Sequence, residues 1–342
     1  MTTDLHLLVI GGTSFVGRAV VTAALRRGHQ VTTFNRGRTG PDVPGVRAMH
    51  GDRTDADALA ALAEHGFDAV IDPSGQVPAH VLGAARALRK STPFYAYVSS
   101  AAVYRDWTAL PWTEAAPTHA GAADDDGPPD MFTLGPRKSG CERAVFETYG
   151  TDAALVVRPG LVVGPHDNVG MLPWWLSRIH LGGMVLAPGA PEQPLQLVDA
   201  RDVAAFVLDR VETARGGVFN TMPDVPITTI GEYLDLCVAA TGAVAHLVWV
   251  PEEVLLENGA GPWNELPFWL PTAANPAAAW PVDAAAAHAA GLRCRPPAET
   301  VRDTWAWLQA GGTVTPTEGA PDLGIAADKE DHILRSWTAR RP

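Results

Sequence analysis

The sequence predicts an α/β protein built on a doubly wound parallel sheet, with a smaller C-terminal domain. Three observations carry this. Short apolar or β-branched runs alternate with amphipathic helical stretches from residue 5 to about residue 100, with short links between them. The first run, Leu5–Ile10, leads into the glycine turn Gly11-Gly12-Thr13-Ser14-Phe15-Val16-Gly17 and directly into a helix. Composition is that of a folded globular chain: 342 residues, 46% apolar and 19% charged.

In Phe15–Arg27, apolar residues at 15, 16, 19, 20 and 21 make one helical face, and Gly28 supplies the stop. Strand, glycine turn and helix together bring backbone N–H groups and a helix N-terminus against a pyrophosphate. Gly11 allows the sharp turn, and Gly17 lets the helix approach the strand. Thr13, Ser14, Phe15 and Val16 line the same turn. Ser14 stands where the middle glycine of a G-x-x-G-x-x-G pattern would be. Gln30–Asn35 is the second strand, and Arg36 and Arg38 follow it with no acid before Asp42. An acid at that strand end favours a free ribose 2′-OH, whereas arginine favours a 2′-phosphate. The expected cofactor is therefore NADP(H).

Val46–Met49 is a third strand, and Gly51-Asp52-Arg53 follows. Asp52 and Arg53 are placed to border the adenine. Asp52 reads equally well as the cap of a helix over Ala56–Glu64. Phe67–Asp72 is the fourth strand; Ser74 and Gly75 in the turn after it would border a ribose. Val81–Leu88 is helical and Phe94–Ser100 is the fifth strand. Residues 105–133 break the rhythm with a Gly-, Pro- and Asp-rich loop, expected to be a mobile substrate loop. Leu134–Tyr149 is helical, Ala154–Arg158 is a strand, and Pro159 to Pro165 is a turn-rich exit carrying Leu161. Gly217–Thr221 is expected as the last strand of the large sheet.

Net charge is −12, which argues against a nucleic-acid partner. No apolar run of about 18 residues exists, so no membrane span is expected. Three scattered cysteines read as reduced thiols of a cytoplasmic protein, and no metal-ligand spacing is present.

The chain resembles the extended short-chain dehydrogenase/reductases of the NAD-dependent epimerase/dehydratase type. The resemblance rests on the Gly11–Gly17 turn, Gly51-Asp52-Arg53, Tyr97-Val98-Ser99-Ser100-Ala101-Ala102-Val103-Tyr104, Arg158-Pro159-Gly160 with Gly164-Pro165, and Val198-Asp199-Ala200-Arg201-Asp202-Val203-Ala204, in family order. It implies a Rossmann-type fold and a Ser–Tyr–Lys catalytic set, with Pro159 and Leu161 beside the nicotinamide. Ser100 matches the serine and Lys138 the lysine. The tyrosine position, four residues before Lys138, is Leu134. Leucine moves no proton. The proton would then come from water, from the substrate, or from Tyr104 or His166, the latter with an intrinsic pKa near neutrality.

Residues 1–165 with about 195–225 are expected to form the NADP-binding domain. About 166–194 with 226–342 would form the substrate domain. Nine of the eleven tryptophans lie after residue 170, and Trp174, Trp175, Trp263 and Trp269 are candidate pocket walls. Few basic residues stand there to hold a substrate diphosphate. A hydrophobic or aromatic ketone is the expected substrate. The absent tyrosine makes the chain similar to atypical angucyclinone ketoreductases of polyketide antibiotic pathways. That resemblance implies an NADPH-dependent reduction. The alternatives are a nucleotide-sugar epimerase or dehydratase, and an inactive NADP(H)-binding sensor. A homodimer is expected by family analogy.

Overall fold

A computed structural model describes residues 4–107, 111–128, 133–223, 228–271, 282–316 and 322–340. Trp280 and Pro129 to Phe132 of the predicted loop lie outside them. The chain divides into two compact units. The first comprises 1–162, 198–224 and 282–294; the second comprises 163–197, 225–281 and 295–342. Residues 282–294, assigned from sequence to the substrate domain, pack in the first unit.

The first unit is built on one parallel sheet of seven strands. In chain order six are β1 (His6–Ile10), β2 (Gln30–Asn35), β3 (Arg47–His50), β4 (Ala69–Asp72), β5 (Phe94–Val98) and β6 (Ala154–Arg158), and the seventh is Gly217–Asn220. Their spatial order is Gly217–Asn220, β6, β5, β4, β1, β2, β3. The order reverses at β1. Ile10 pairs with Phe34 of β2, and Val9 with Ile71 of β4 on the other side. Strands buried on both faces read as continuous apolar runs, which is why β1, β4 and β5 lack polar alternation.

Helices α1 (Phe15–Arg26), α2 (Ala56–Ala63), α3 (Pro78–Leu88) and α4 (Leu134–Tyr149) follow β1, β3, β4 and β5, α4 after a longer connection. Helices α2, α3 and α4 cover one face through a buried cluster including Leu8, Val70, Tyr95, Leu59, Val81 and Val145. Helix α1 packs against the helix Ala200–Glu212, and Arg27 ties the two with bonds to Asp209 at 2.7 Å and Glu212 at 2.9 Å. The α2 cap is Asp55, whose carboxylate accepts from the Asp57 and Ala58 amides. Asp52 is thus not the helix cap; it turns back on Thr54 instead.

The second unit holds the parallel pair Gly183–Pro188 and Ala245–Val250. Helices Met171–His180, Ile230–Thr241, Pro297–Gln309 and Ala327–Thr338 belong to it. Its core includes Leu186, Val250, Leu255, Leu266, Trp269 and Ile333. Among the described residues no helix is long and apolar enough to cross a membrane, and no cluster of metal-ligating side chains occurs.

Candidate active site

Strand order reverses at β1, and in doubly wound sheets ligands bind outside the carboxyl ends of the strands at such a point. Gly11 follows β1 there with φ +92°, a conformation that only glycine adopts freely. A Cβ at Gly11 would meet Ser74 Cβ at 2.5 Å. Ser74 is held there by donating its hydroxyl to the Ile10 carbonyl at 2.7 Å. A Cβ at Gly17 would run into the Gly11 carbonyl, so the first turn of α1 can sit against the glycine turn only without a side chain. Phe15, at the head of α1, carries φ 42°, local strain of the kind that concentrates at ligand-binding turns. Ser14 precedes α1 as its cap residue but makes no side-chain capping bond. The Thr13 hydroxyl lies 2.7 Å from that of Thr39. Close packing at Gly11 and Gly17 leaves no room for a side chain in the turn.

At the end of β2, Arg36 and Arg38 are both exposed. Asp42 folds back to this strand end, accepting from Asn35 Nδ2 at 2.9 Å and pairing with His50 Nε2 at 2.8 Å. Burial pushes the Asp42 carboxyl up, but bonds from His50, Asn35 and Thr33 outweigh it and hold the group below its ordinary range. The Asp52 carboxyl is likewise held low, chiefly by the Thr54 amide, with Arg36 adding to the effect.

Arg53 turns to the end of β4. Its guanidinium makes a bidentate pair with Asp72 at the end of β4, at 2.5 and 3.2 Å. The Tyr95 hydroxyl donates to the same carboxylate at 2.8 Å. Asp72 is fully buried, and burial alone would raise its pKa. Arg53 reverses this and keeps it ionised. This pairing straps the loop after β3 to the end of β4.

Helix α4 carries Leu134 at its first position, 37% exposed, and Lys138 one turn later, 8% exposed. Lys138 Nζ donates to the carbonyls of Gly75 at 2.9 Å and Val98 at 3.0 Å, and lies 4.9 Å from the Tyr97 ring centre. Two of its three N–H groups are therefore committed to the ends of β4 and β5. Burial pushes its pKa down, partly offset by Cys141, Asp72 and Glu142. The lysine expected to hold a ribose clamps two strand ends together. Ser100 Oγ accepts from the Ala102 amide at 3.1 Å and caps a short turn, its own hydrogen remaining available to donate.

Tyr104 is fully buried and does not serve as the missing proton donor. Its hydroxyl donates to Asn220 Oδ1 at 2.6 Å and accepts from Arg158 at 3.2 Å. Burial raises its pKa, against the pull of Arg158. Arg158 in turn pairs with Glu142 at 2.6 Å, and Ser99 donates to Glu142 at 2.5 Å. This chain from Ser99 through Glu142 and Arg158 to Asn220 escaped the sequence reading, though Glu142 stands four residues after Lys138. Pro159 accepts from the Ala101 amide at 2.8 Å, and Leu161 begins the strand Leu161–Val163. His166 belongs to the second unit, at φ 65°, its ring tilted against Trp307 with centroids 5.2 Å apart. Trp175 and Trp269 are fully buried core residues rather than pocket walls, and Trp175 donates to the Pro267 carbonyl at 2.9 Å. Trp174 lines a groove of about 740 Å³ with Arg178, Leu181, Met184 and Leu334. Trp263 is half-buried at φ 67°.

Residues 7–122 match the model of the NAD dependent epimerase/dehydratase family. The chain is 27% identical over 242 residues to the chloroplast stem-loop binding protein of 41 kDa b of Arabidopsis thaliana, covering 66% of this chain and 60% of that one. It is 43% identical over 72 residues to a Mycobacterium tuberculosis 3 beta-hydroxysteroid dehydrogenase/Delta 5-->4-isomerase, covering 20% and 19% of the two chains. The chain thus spans less than two thirds of the length of either relative. In fold it is similar to the Bordetella bronchiseptica enzyme WbmG in complex with NAD and UDP, at TM-score 0.67 and 17% identity, covering 94% and 100% of the chains. It is equally similar to the UDP-glucose 4-epimerase of Thermotoga maritima, at TM-score 0.66 and 17% identity, covering 90% and 99%. The family model thus matches the N-terminal third of the chain, and the solved structures share its Rossmann-type fold.

Proposed function

We propose that the protein is a nicotinamide-dinucleotide enzyme of the epimerase/dehydratase type, acting on a carbinol or carbonyl carbon of a small molecule. The single observation that carries this is the glycine turn at the point where strand order reverses, where Gly11 holds φ +92° and Gly17 packs on the Gly11 carbonyl with no room for a Cβ. Gly11, Thr13, Ser14, Phe15 and Val16 would hold the pyrophosphate, and Ser74 and Gly75 would border a ribose. The cofactor would supply hydride transfer. NADP(H) is the form proposed, on the strength of Arg36 and Arg38; WbmG is described with NAD.

The family match and the epimerase folds favour reversible oxidation and reduction of a bound substrate over net reduction. A nucleotide sugar is the substrate class that the similar structures support. Net reduction of an apolar or phenolic ketone is a second reading, favoured by Leu134. With no phenol at that position, the protein cannot take a hydroxyl proton there as a base, whereas a phenolic substrate can protonate its own alkoxide. The Arabidopsis relative is named for stem-loop binding; for this chain a nucleic-acid partner is disfavoured by the net charge of −12. The small-molecule substrate, a homodimer and a cytoplasmic location remain parts of this proposal.

The test is purification followed by assay. Copurifying dinucleotide that never exchanges, with interconversion of UDP-sugars and no net redox change, supports the epimerase reading. Net consumption of NADPH with a panel of phenolic ketones supports the reductase. Binding without turnover on either panel leaves a sensor. Leu134→Tyr separates the first two further: it should raise epimerase turnover by supplying a base, and should leave reduction of a self-protonating ketone unchanged.

A further inference from the structure

The segment between β2 and β3 is pinned at both ends of its arginine pair. Asn35 Oδ1 accepts from the Gly37 amide at 2.8 Å. Thr39 meets Thr13 at 2.7 Å, and Pro41 accepts from Arg18 at 3.2 Å. Asp42 closes the loop. Its Oδ1 accepts from Asn35 Nδ2 at 2.9 Å and Thr33 Oγ1 at 3.3 Å, while Oδ2 meets His50 Nε2 at 2.8 Å. Gly37 lies on the His50 ring, where an added Cβ would be 3.7 Å away. Between these pins Arg36 and Arg38 stay exposed.

Resting on the dinucleotide reading above, we propose that Asp42 is a positioning residue for cofactor selectivity: it holds Thr33, Asn35 and His50 so that Arg36 and Arg38 face a 2′-phosphate. Asp42 lies seven residues past the end of β2, outside any spacing pattern for a ribose-binding acid. Its oxygens accept three bonds within the protein, which hold the loop to the end of β2. Its geometry favours the phosphate and its charge opposes it. Two substitutions separate these effects. Asp42→Asn keeps the Oδ1 acceptor and the size while removing the charge; the His50 ring can accept from its amide as the other tautomer. Asp42→Ala removes the pins.

The experiment is fluorescence titration of the purified full chain and both variants with NADPH and with NADH, alongside thermal unfolding. Wild type should bind both and prefer NADPH. The alanine variant should lose about tenfold in NADPH affinity while NADH changes by less than about threefold, and the asparagine variant should keep NADPH within about threefold of wild type. A general structural role would weaken both dinucleotides equally, and that result overturns the inference. So does an asparagine variant that binds NADPH about tenfold more tightly, since Asp42 would then act through its charge. Wild type that binds neither dinucleotide overturns the cofactor reading itself, and the inference with it. If the alanine variant does not fold, Asn35→Ala releases the same turn and is held to the same outcomes.

Discussion

Asp167 is a buried carboxyl with one oxygen to spare. It is 1% exposed. Its Oδ1 accepts from the Val169 amide at 2.8 Å and the Gly170 amide at 3.0 Å, ahead of the helix Met171–His180, and Oδ2 has no hydrogen-bond partner. Burial pushes its pKa from 3.8 up to about 6, although the two amides pull it down. The folded state therefore binds this proton more tightly than the unfolded chain does. The stabilisation is fully present below the unfolded value and is lost as pH rises through the folded one. At 1.36 kcal/mol per unit, raising the pH from about 4.5 to about 8 should remove roughly 2 kcal/mol of stability through this one group. Asp167→Asn cannot titrate. Urea unfolding of both proteins across that range isolates the group, because the other ionisable residues cancel in the difference. The variant's stability relative to wild type should rise by roughly 2 kcal/mol from the acid to the alkaline end. A difference that stays flat with pH, or falls, refutes the assignment of a protonated buried carboxyl.

Three further outcomes follow from buried geometry. Glu142→Ala leaves the Arg158 guanidinium without its carboxylate in a site 7% exposed on each side, and should destabilise the first unit by about 3–5 kcal/mol in chemical denaturation. Lys138→Met strips the donor from the Gly75 and Val98 carbonyls and should cost about 1–3 kcal/mol; undiminished stability would show that the clamp is dispensable. Gly17→Ala drives a methyl into the Gly11 carbonyl and should abolish dinucleotide binding in a titration, whereas Gly83→Ala, where nothing lies within 4 Å, should leave it unchanged.

Much of the first unit was legible because its signals are local. A strand buried on both faces must be an unbroken apolar run, and a helix lying on it must show a periodic face. From β1 to the strand Gly217–Asn220, the expected elements occur within a few residues of their predicted ends. The glycine turn was legible for the same reason: Gly11 and Gly17 are required by backbone geometry within seven residues of chain. The vacancy at Leu134 was legible from its spacing to Lys138 alone.

Pairings across long sequence separations were not legible, because no periodicity encodes them. Arg53 lies 19 residues before Asp72, and only the adjacency of strand ends brings the two together as a buried ion pair. Tyr104 is 116 residues from Asn220, its hydrogen-bond partner. Asp42 reads in sequence as an acid too late to matter, yet its loop returns it to the end of β2. The sequence by itself determined the sheet, the glycine turn and the absence of a phenol at position 134, since each depends on neighbours in the chain. Tertiary structure decided which charged side chains are paired at the strand ends, since desolvation forces a buried charge to find a partner wherever the fold places one.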